Sequence, residues 1–143
     1  MMVVAAVLAS FSASSLFSDR AFDAVIAKNS IRSLLNNAQL AALSQNSVDV
    51  LIEESGSTIT ISSRINGVVQ QSGSFDSTSI TMGVIGRQSS PDDCGAVSSP
   101  STIVFDTRGE TESLDNTGIP ICIDSYLFLC ISPTGFAHDG NCE

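Results

Sequence analysis

Positive charge is scarce in this sequence, and the scarcity narrows the field of functions. Six Lys/Arg stand against fifteen Asp/Glu, a formal net charge of −9. The cations, Arg20, Lys28, Arg32, Arg64, Arg87 and Arg108, are scattered, and only Lys28 and Arg32 sit at helical i,i+4 spacing. Counterion release from a polyphosphate needs clustered cations, so a nucleic-acid partner is not expected. A phosphate cradle is missing too: Gly83, Gly86 and Gly95 are widely spaced and no helix follows them. His138 is the lone histidine, and Cys94, Cys122, Cys130 and Cys142 include no CxxC pair, which leaves a zinc site without its ligands. Asp92-Asp93 supplies too few oxygens for calcium and reads as a solvated loop. There is no G-x-S-x-G elbow, and His138 lies in a Gly-flanked tail with only Asp139 beside it, short of the rigid support that a serine triad requires. No catalytic residue, metal or cofactor is expected, and a hydrolase using His138 ranks last among the readings.

What is there suits one domain. With 143 residues, 43% apolar and 15% charged, the chain can form a single core and is not compositionally disordered. Ser, Thr, Asn and Gln supply much of the polar remainder. Four cysteines, all in the C-terminal half of an acidic, Ser/Thr-rich chain, point to two disulfides and an oxidising compartment.

The first seventeen residues, MMVVAAVLASFSASSLF, carry no charge, Gly or Pro. The strictly apolar part, Met1 to Ala9, is shorter than the ~20 residues that span a bilayer. From Asp19 to Gln45 the chain again lacks Gly and Pro. Phe22, Val25, Ile26, Leu34, Leu35, Ala38, Ala41 and Ala42 recur at amphipathic helical spacing, with Ile31 and Leu43 beside the stripe. The pattern predicts one long helix over 1–46, hydrophobic over 1–17 and amphipathic over 20–46. Such a helix would be ~70 Å long, more than a domain of this size can bury.

From Val48 the period changes to two. Strands are expected at Val48–Ile52, Thr58–Ser62, Val68–Gln71, Ser79–Ile85, Thr102–Asp106, Ile119–Ile123 and Tyr126–Ser132. Turns are expected at Glu53–Gly56, Asn66-Gly67 and Asp124-Ser125, with loops at Ser89–Ser101 and Thr107–Gly118 and an irregular tail from Pro133. The fold class is α+β: a long N-terminal helix on six or seven short antiparallel strands, with 47–143 and 20–46 forming one domain.

Three stretches carry a family resemblance. MMVVAAVLAS (1–10) resembles the apolar run after a prepilin cleavage site. NSIRSLLNNAQLAALSQNSVDVLIE (29–53) resembles a pilin helix entering its first strand. IVFDTRGETES (103–113) with GIPICIDSYLFLCISPTG (118–135) is similar to a late F-x-x-x-G … hairpin … I-S-x-x-G segment. Together they resemble the type IV pilin and type II secretion pseudopilin superfamily, most of all the GspH/FimT group of minor pseudopilins and pilins. The Gly-Phe-Thr-Leu-Ile-Glu type of peptidase motif is absent and the first acidic residue is Asp19; the expectation is that the sequence begins a few residues inside the mature, N-methylated helix. Some FimT-like pilins bind DNA through basic C-terminal residues, but the segment from Gly109 to Glu143 has no Lys or Arg, so that property is not carried over.

The resemblance implies a pilus or pseudopilus subunit that rests in the inner membrane and then joins a periplasmic or extracellular filament of like subunits. Met1, Met2, Val3, Val4, Val7, Leu8, Phe11, Leu16 and Phe17 would pack the filament core, and Ala5, Ala6, Ala9, Ser12 and Ala13 would allow close helix approach. A two-residue turn at Asp124-Ser125 would set Cys122 opposite Leu127, with Cys130 on the other face, making Cys122–Cys130 a poor pair. Cys94–Cys122 with Cys130–Cys142, or Cys94–Cys130 with Cys122–Cys142, remain. The first is preferred, because Cys130–Cys142 pins the tail, and a C-terminal disulfide loop resembles that of many pilins. The rival reading is a secreted, disulfide-stapled, monomeric binding domain with residues 1–13 as a signal peptide and a mature start near Ser14.

Overall fold

A computed structural model describes residues 19–44, 46–77, 82–85, 97–98, 100–111, 118–124, 127–140 and 142. Its one described helix, α1 (Asp19–Ala42), is followed by nine strands: β1 (Val48–Ser55), β2 (Thr58–Ile65), β3 (Val68–Asp76), β4 (Met82–Ile85), β5 (Val97–Ser98), β6 (Ser101–Phe105), β7 (Ile119–Ile123), β8 (Leu127–Ile131) and β9 (Ala137–Asp139). Seven of these have four residues or more; β5 and β9 are pieces of two and three residues. All pairings are antiparallel, in a four-stranded sheet of order β3-β2-β1-β6 and a five-stranded sheet of order β5-β4-β7-β8-β9. The architecture is α+β, as the change of period from helical to two implies.

The helix ends at Ala42 rather than running to residue 46. The Leu43 amide donates to the Gln39 carbonyl, the Ser44 amide to that of Ala41, and the Ser44 hydroxyl reaches the same Ala41 oxygen at 2.6 Å. These bonds satisfy terminal carbonyls and turn the chain toward β1.

The apolar periodicity picks out the buried side of α1 in its C-terminal half but not in its N-terminal half. Ala24, Ala27, Ile31, Leu34, Leu35, Ala38 and Ala42 are buried. Phe22, Val25 and Ile26 lie on the opposite side, 67%, 43% and 47% exposed, and Leu43 is 52% exposed. At ~100° per residue the expected stripe mixed two faces. The sheets take the small residues Ala24 and Ala27, which let the backbone approach closely, and the larger N-terminal side chains point outward.

One core joins the helix to both sheets: Ile31, Leu34 and Leu35 meet Val50 and Ile52 of β1, Ile59 and Ile61 of β2, Ile103 and Phe105 of β6, and Ile121, Ile123, Leu129 and Ile131 of β7 and β8. Each large side chain so buried stabilises the fold by roughly 1.5–3 kcal/mol. Alternation is clean in β1, where Val48, Val50 and Ile52 are buried and Asp49, Leu51 and Glu53 face outward. Two-residue turns close both hairpins of this sheet: Ser55 pairs with Thr58, and Ile65 with Val68 across Asn66-Gly67, both at positive φ (52° and 79°).

The β7–β8 hairpin differs from expectation by one residue. Ile123 pairs with Leu127, so the connection has three residues, and Asp124 takes φ 58°. Cys122 therefore stands opposite Phe128, and Cys130 opposite Pro120. Cys122 and Cys130 share a face, contrary to the two-residue reading. They are diagonal neighbours, and Cys130 bonds elsewhere.

Candidate assembly surface

The tail from Pro133 is ordered by several contacts rather than irregular. Cys130 is disulfide-bonded to Cys142, Cα–Cα 5.2 Å apart, as preferred. Cys122 is also disulfide-bonded, while Cys94 lies outside the described residues. Gly118 (φ 102°) lies against the Cys130–Cys142 bond: a Cβ there would stand 2.6 Å from the Ile131 carbonyl oxygen and 2.9 Å from the Cys130 sulfur, so only glycine fits. The disulfide marks an oxidising, extracytoplasmic setting.

β9 brings the tail back to the helix. The Asp139 carboxylate receives Lys28 at 3.2 Å and Arg32 at 3.5 Å, so the i,i+4 cation pair clamps the tail strand. Pairs this exposed contribute up to ~1 kcal/mol and act mainly on orientation. His138 sits in β9 opposite Cys130, not in a loose tail, and its Nδ1 lies 3.1 Å from the Asp139 backbone carbonyl. The neighbouring carboxylate is thus engaged by cations rather than aimed at the imidazole.

At the C-terminal end of α1 two motif segments meet. In the F-x-x-x-G stretch, Phe105 pairs with Thr111, and the Asp106 carboxylate accepts the amides of Arg108 (2.8 Å) and Glu110 (2.9 Å). The Glu110 amide, then burial in the opposite sense, then the Arg108 contacts hold the Asp106 carboxyl below its ordinary value on balance. In the I-S-x-x-G stretch, Gly135 (φ 82°) presses on the Gly109 carbonyl, where no Cβ has room. Gln39 of the helix donates to the Thr134 carbonyl at 2.8 Å and closes the junction. Thr111 links the two sheets, its amide to the Pro133 carbonyl and its hydroxyl to that of Ser132.

Two further cations are also engaged: Arg64 with Glu53 at 3.7 Å, and Arg108 with Asp106 and Glu110. Among the described residues no three His, Cys, Asp or Glu side chains gather as a metal site. Asp92, Asp93 and Arg87 lie outside them. So do Met1, Met2, Val3, Val4, Val7, Leu8, Phe11, Leu16 and Phe17, the residues expected to pack a filament core. No described helix is long and apolar enough to cross a membrane.

What the structure adds is the outward face of α1. Phe22, Val25 and Ile26 crowd its N-terminal end, and Leu40 and Leu43 its C-terminal end, 64% and 52% exposed. Asn29, Ser33 and Asn36 occupy the same side between them, and Arg32, turned to Asp139, stands at its edge. Its apolar N-terminal end was concealed in the sequence because the same residues also fit a core stripe. No protein-family model, curated protein or solved structure matches the chain.

Proposed function

We propose that the chain is a structural subunit of a type IV pilus or type II secretion-like pseudopilus. Assembly proceeds by packing the apolar N-terminal part of its helix against other subunits, after a stage in the inner membrane. The observation that carries the reading is the side of α1 on which Phe22, Val25 and Ile26 stand away from both sheets. The domain's own core does not use them, and they come a turn after the uncharged run 1–17, beyond the charged pair Asp19-Arg20. Three outward side chains of that size at one helix end suit neighbouring helices better than water. The Cys130–Cys142 staple and the Gly109–Gly135 contact support the same reading, since both fall in the stretches that resemble pilins. The packing surface then extends from Met1 past Phe17 to Ile26, and the sheets form the outer body.

The test is the full-length chain carrying Val25→Glu and Ile26→Glu in its native envelope. Both positions are exposed, so the folded domain should melt as before while recovery in the sheared filament fraction falls sharply. Intact mass with N-terminal sequencing completes the test. A mature chain beginning near Ser14 and released as a monomer would replace this reading with a secreted binding domain.

A further inference from the structure

Among the described residues the two sheets end in four edge strands, and these are unequally protected. β6 is met at Phe105 by Thr111. β5 is two residues long, and β9 is three, with Asp139 bound to Lys28 and Arg32. Shortness, charge and a covering segment are the usual means of keeping an edge from pairing. Among the described residues β3 has none of them. It is the longest strand, nine residues without Lys, Arg or Pro, and its single charge is the terminal Asp76. A groove of about 600 Å³ runs between it and α1, lined by Asn29, Ser30 and Ser33 on one side and Gln71, Gly73 and Phe75 on the other. Among the described residues no charged side chain lines it, in a chain of net charge −9.

We propose that β3 pairs with β3 of a second copy, antiparallel, about a two-fold axis at Gly73. An unpaired strand edge offers main-chain donors and acceptors that only another strand fully satisfies. The pairing with β2 slips at Gln70, since Ser63 meets Gln71 but Arg64 meets Val69, so the regular stretch is Gln71 to Asp76. Opposed residues must share a face, which restricts the axis to a residue rather than a gap. At Gly73 it sets Gln71 of each copy against Phe75 of the other, and Ser72 against Ser74. The Phe75 ring already leans over Gly73, its Cζ 3.6 Å from where a Cβ would stand, so both rings converge over the glycine pair. Asp76 falls beside Gln70, an amide, and no two carboxylates are opposed. Charge would otherwise drive such acidic copies apart; this is the edge where it does not.

The contact is two-fold and closes on itself, so it pairs free subunits or ties two filaments side by side rather than lengthening one. A single strand pair is smaller than a standard interface, so association is weak and depends on crowding. The proposal stands independently of the filament reading.

The experiment uses the full-length chain in its native envelope, with Ser72→Cys and Ser74→Cys expressed singly and together, read as disulfide-linked dimers on non-reducing gels. Directly opposed Cβ atoms come within about 5 Å and diagonal ones about 7–8 Å, so the mixture should give at least about tenfold more dimer than either variant alone. Adding Gly73→Lys to both chains should abolish it. The subunit itself should still melt normally, because a Cβ at Gly73 meets only ordinary contacts, 3.6 Å to Phe75 and 3.8 Å to Ile61. Linkage of Ser72→Cys or Ser74→Cys mainly to itself would overturn this axis. Folded variants that form no dimer, or adducts with a different protein in its place, would overturn the second copy as the occupant.

Discussion

The two sheets solve the same problem by different means. The four-stranded sheet has three strands of eight or nine residues joined by two-residue turns, and no described cysteine lies in it. Its outer side carries Thr58, Thr60 and Arg64 of β2 and Asp49 and Glu53 of β1, turned away from the helix. In the five-stranded sheet no strand exceeds five residues. Cys122 and Cys130 lie on the side of that sheet away from the common core, with Ile121, Ile123, Leu129 and Ile131 inward. Long local hairpins can hold themselves together, whereas short strands drawn from distant parts of the chain need a covalent staple. The division also places the two shortest edges, β5 and β9, on the stapled sheet and leaves the long one, β3, on the sheet without cysteines.

The sharpest way to break the comparison is through what both sheets share. Leu35 is wholly buried in the common core, so Leu35→Ala should cost about 2–5 kcal/mol. Urea unfolding should then show both sheets lost in one earlier transition. If the four-stranded sheet kept its stability, the two halves would not be one cooperative unit. Removing the staple should act on one side only. Cys130→Ser with Cys142→Ser opens a twelve-residue separation and should cost roughly 2–3 kcal/mol. Hydrogen exchange should accelerate at β8 and β9 while β1 and β2 amides keep most of their protection. Equal acceleration in both sheets would contradict the division.

Much of the long-strand sheet was legible because its signals are local. Alternation from Val48, the TITIS run and Asn66-Gly67 each name their own structure. The stapled sheet was less legible because its geometry is set at a distance. Asp124 takes a positive φ that Asp-Ser does not announce, and one extra loop residue then reverses which cysteines share a face. The pairing Cys130–Cys142 was right, although the facing argument against Cys122–Cys130 was not. β9 has no period of its own; it pairs with β8, and the Cys130–Cys142 bond and the Lys28 and Arg32 contacts to Asp139 flank that pairing. On the helix, periodicity found the element and, from Leu34 to Ala42, its buried face; it missed the face in the N-terminal half, since Ala24 and Ala27 look too small to outrank Phe22 and Ile26. The apolar surface proposed for assembly was therefore half visible: its first seventeen residues in the sequence, its continuation at Phe22, Val25 and Ile26 only once the sheets were placed.

The smallest expected effect concerns the seam between the sheets. The Asp106 carboxylate orders the turn that returns the chain from Phe105 to Thr111, and Thr111 in turn holds Pro133 and Ser132 of the other sheet. Its carboxyl is held below the ordinary 3.8, chiefly by the Glu110 amide, then by Arg108 against an opposing contribution from burial. A depressed carboxyl stabilises the fold above its unfolded value, and that stability is lost as pH falls through the folded one. The seam should accordingly be firm at pH 5 and above and loosen only at and below about pH 4. Asp106→Asn keeps an acceptor for the same amides but cannot titrate. Amide shifts of Glu110 and Thr111, followed from pH 5 to pH 2, should move in the parent chain and stay nearly flat in the variant. The amides of the Asn66-Gly67 turn, remote from any such carboxylate bond, should not follow that titration. Identical acid profiles for parent and variant would remove Asp106 from the seam and leave Thr111 alone to couple the sheets.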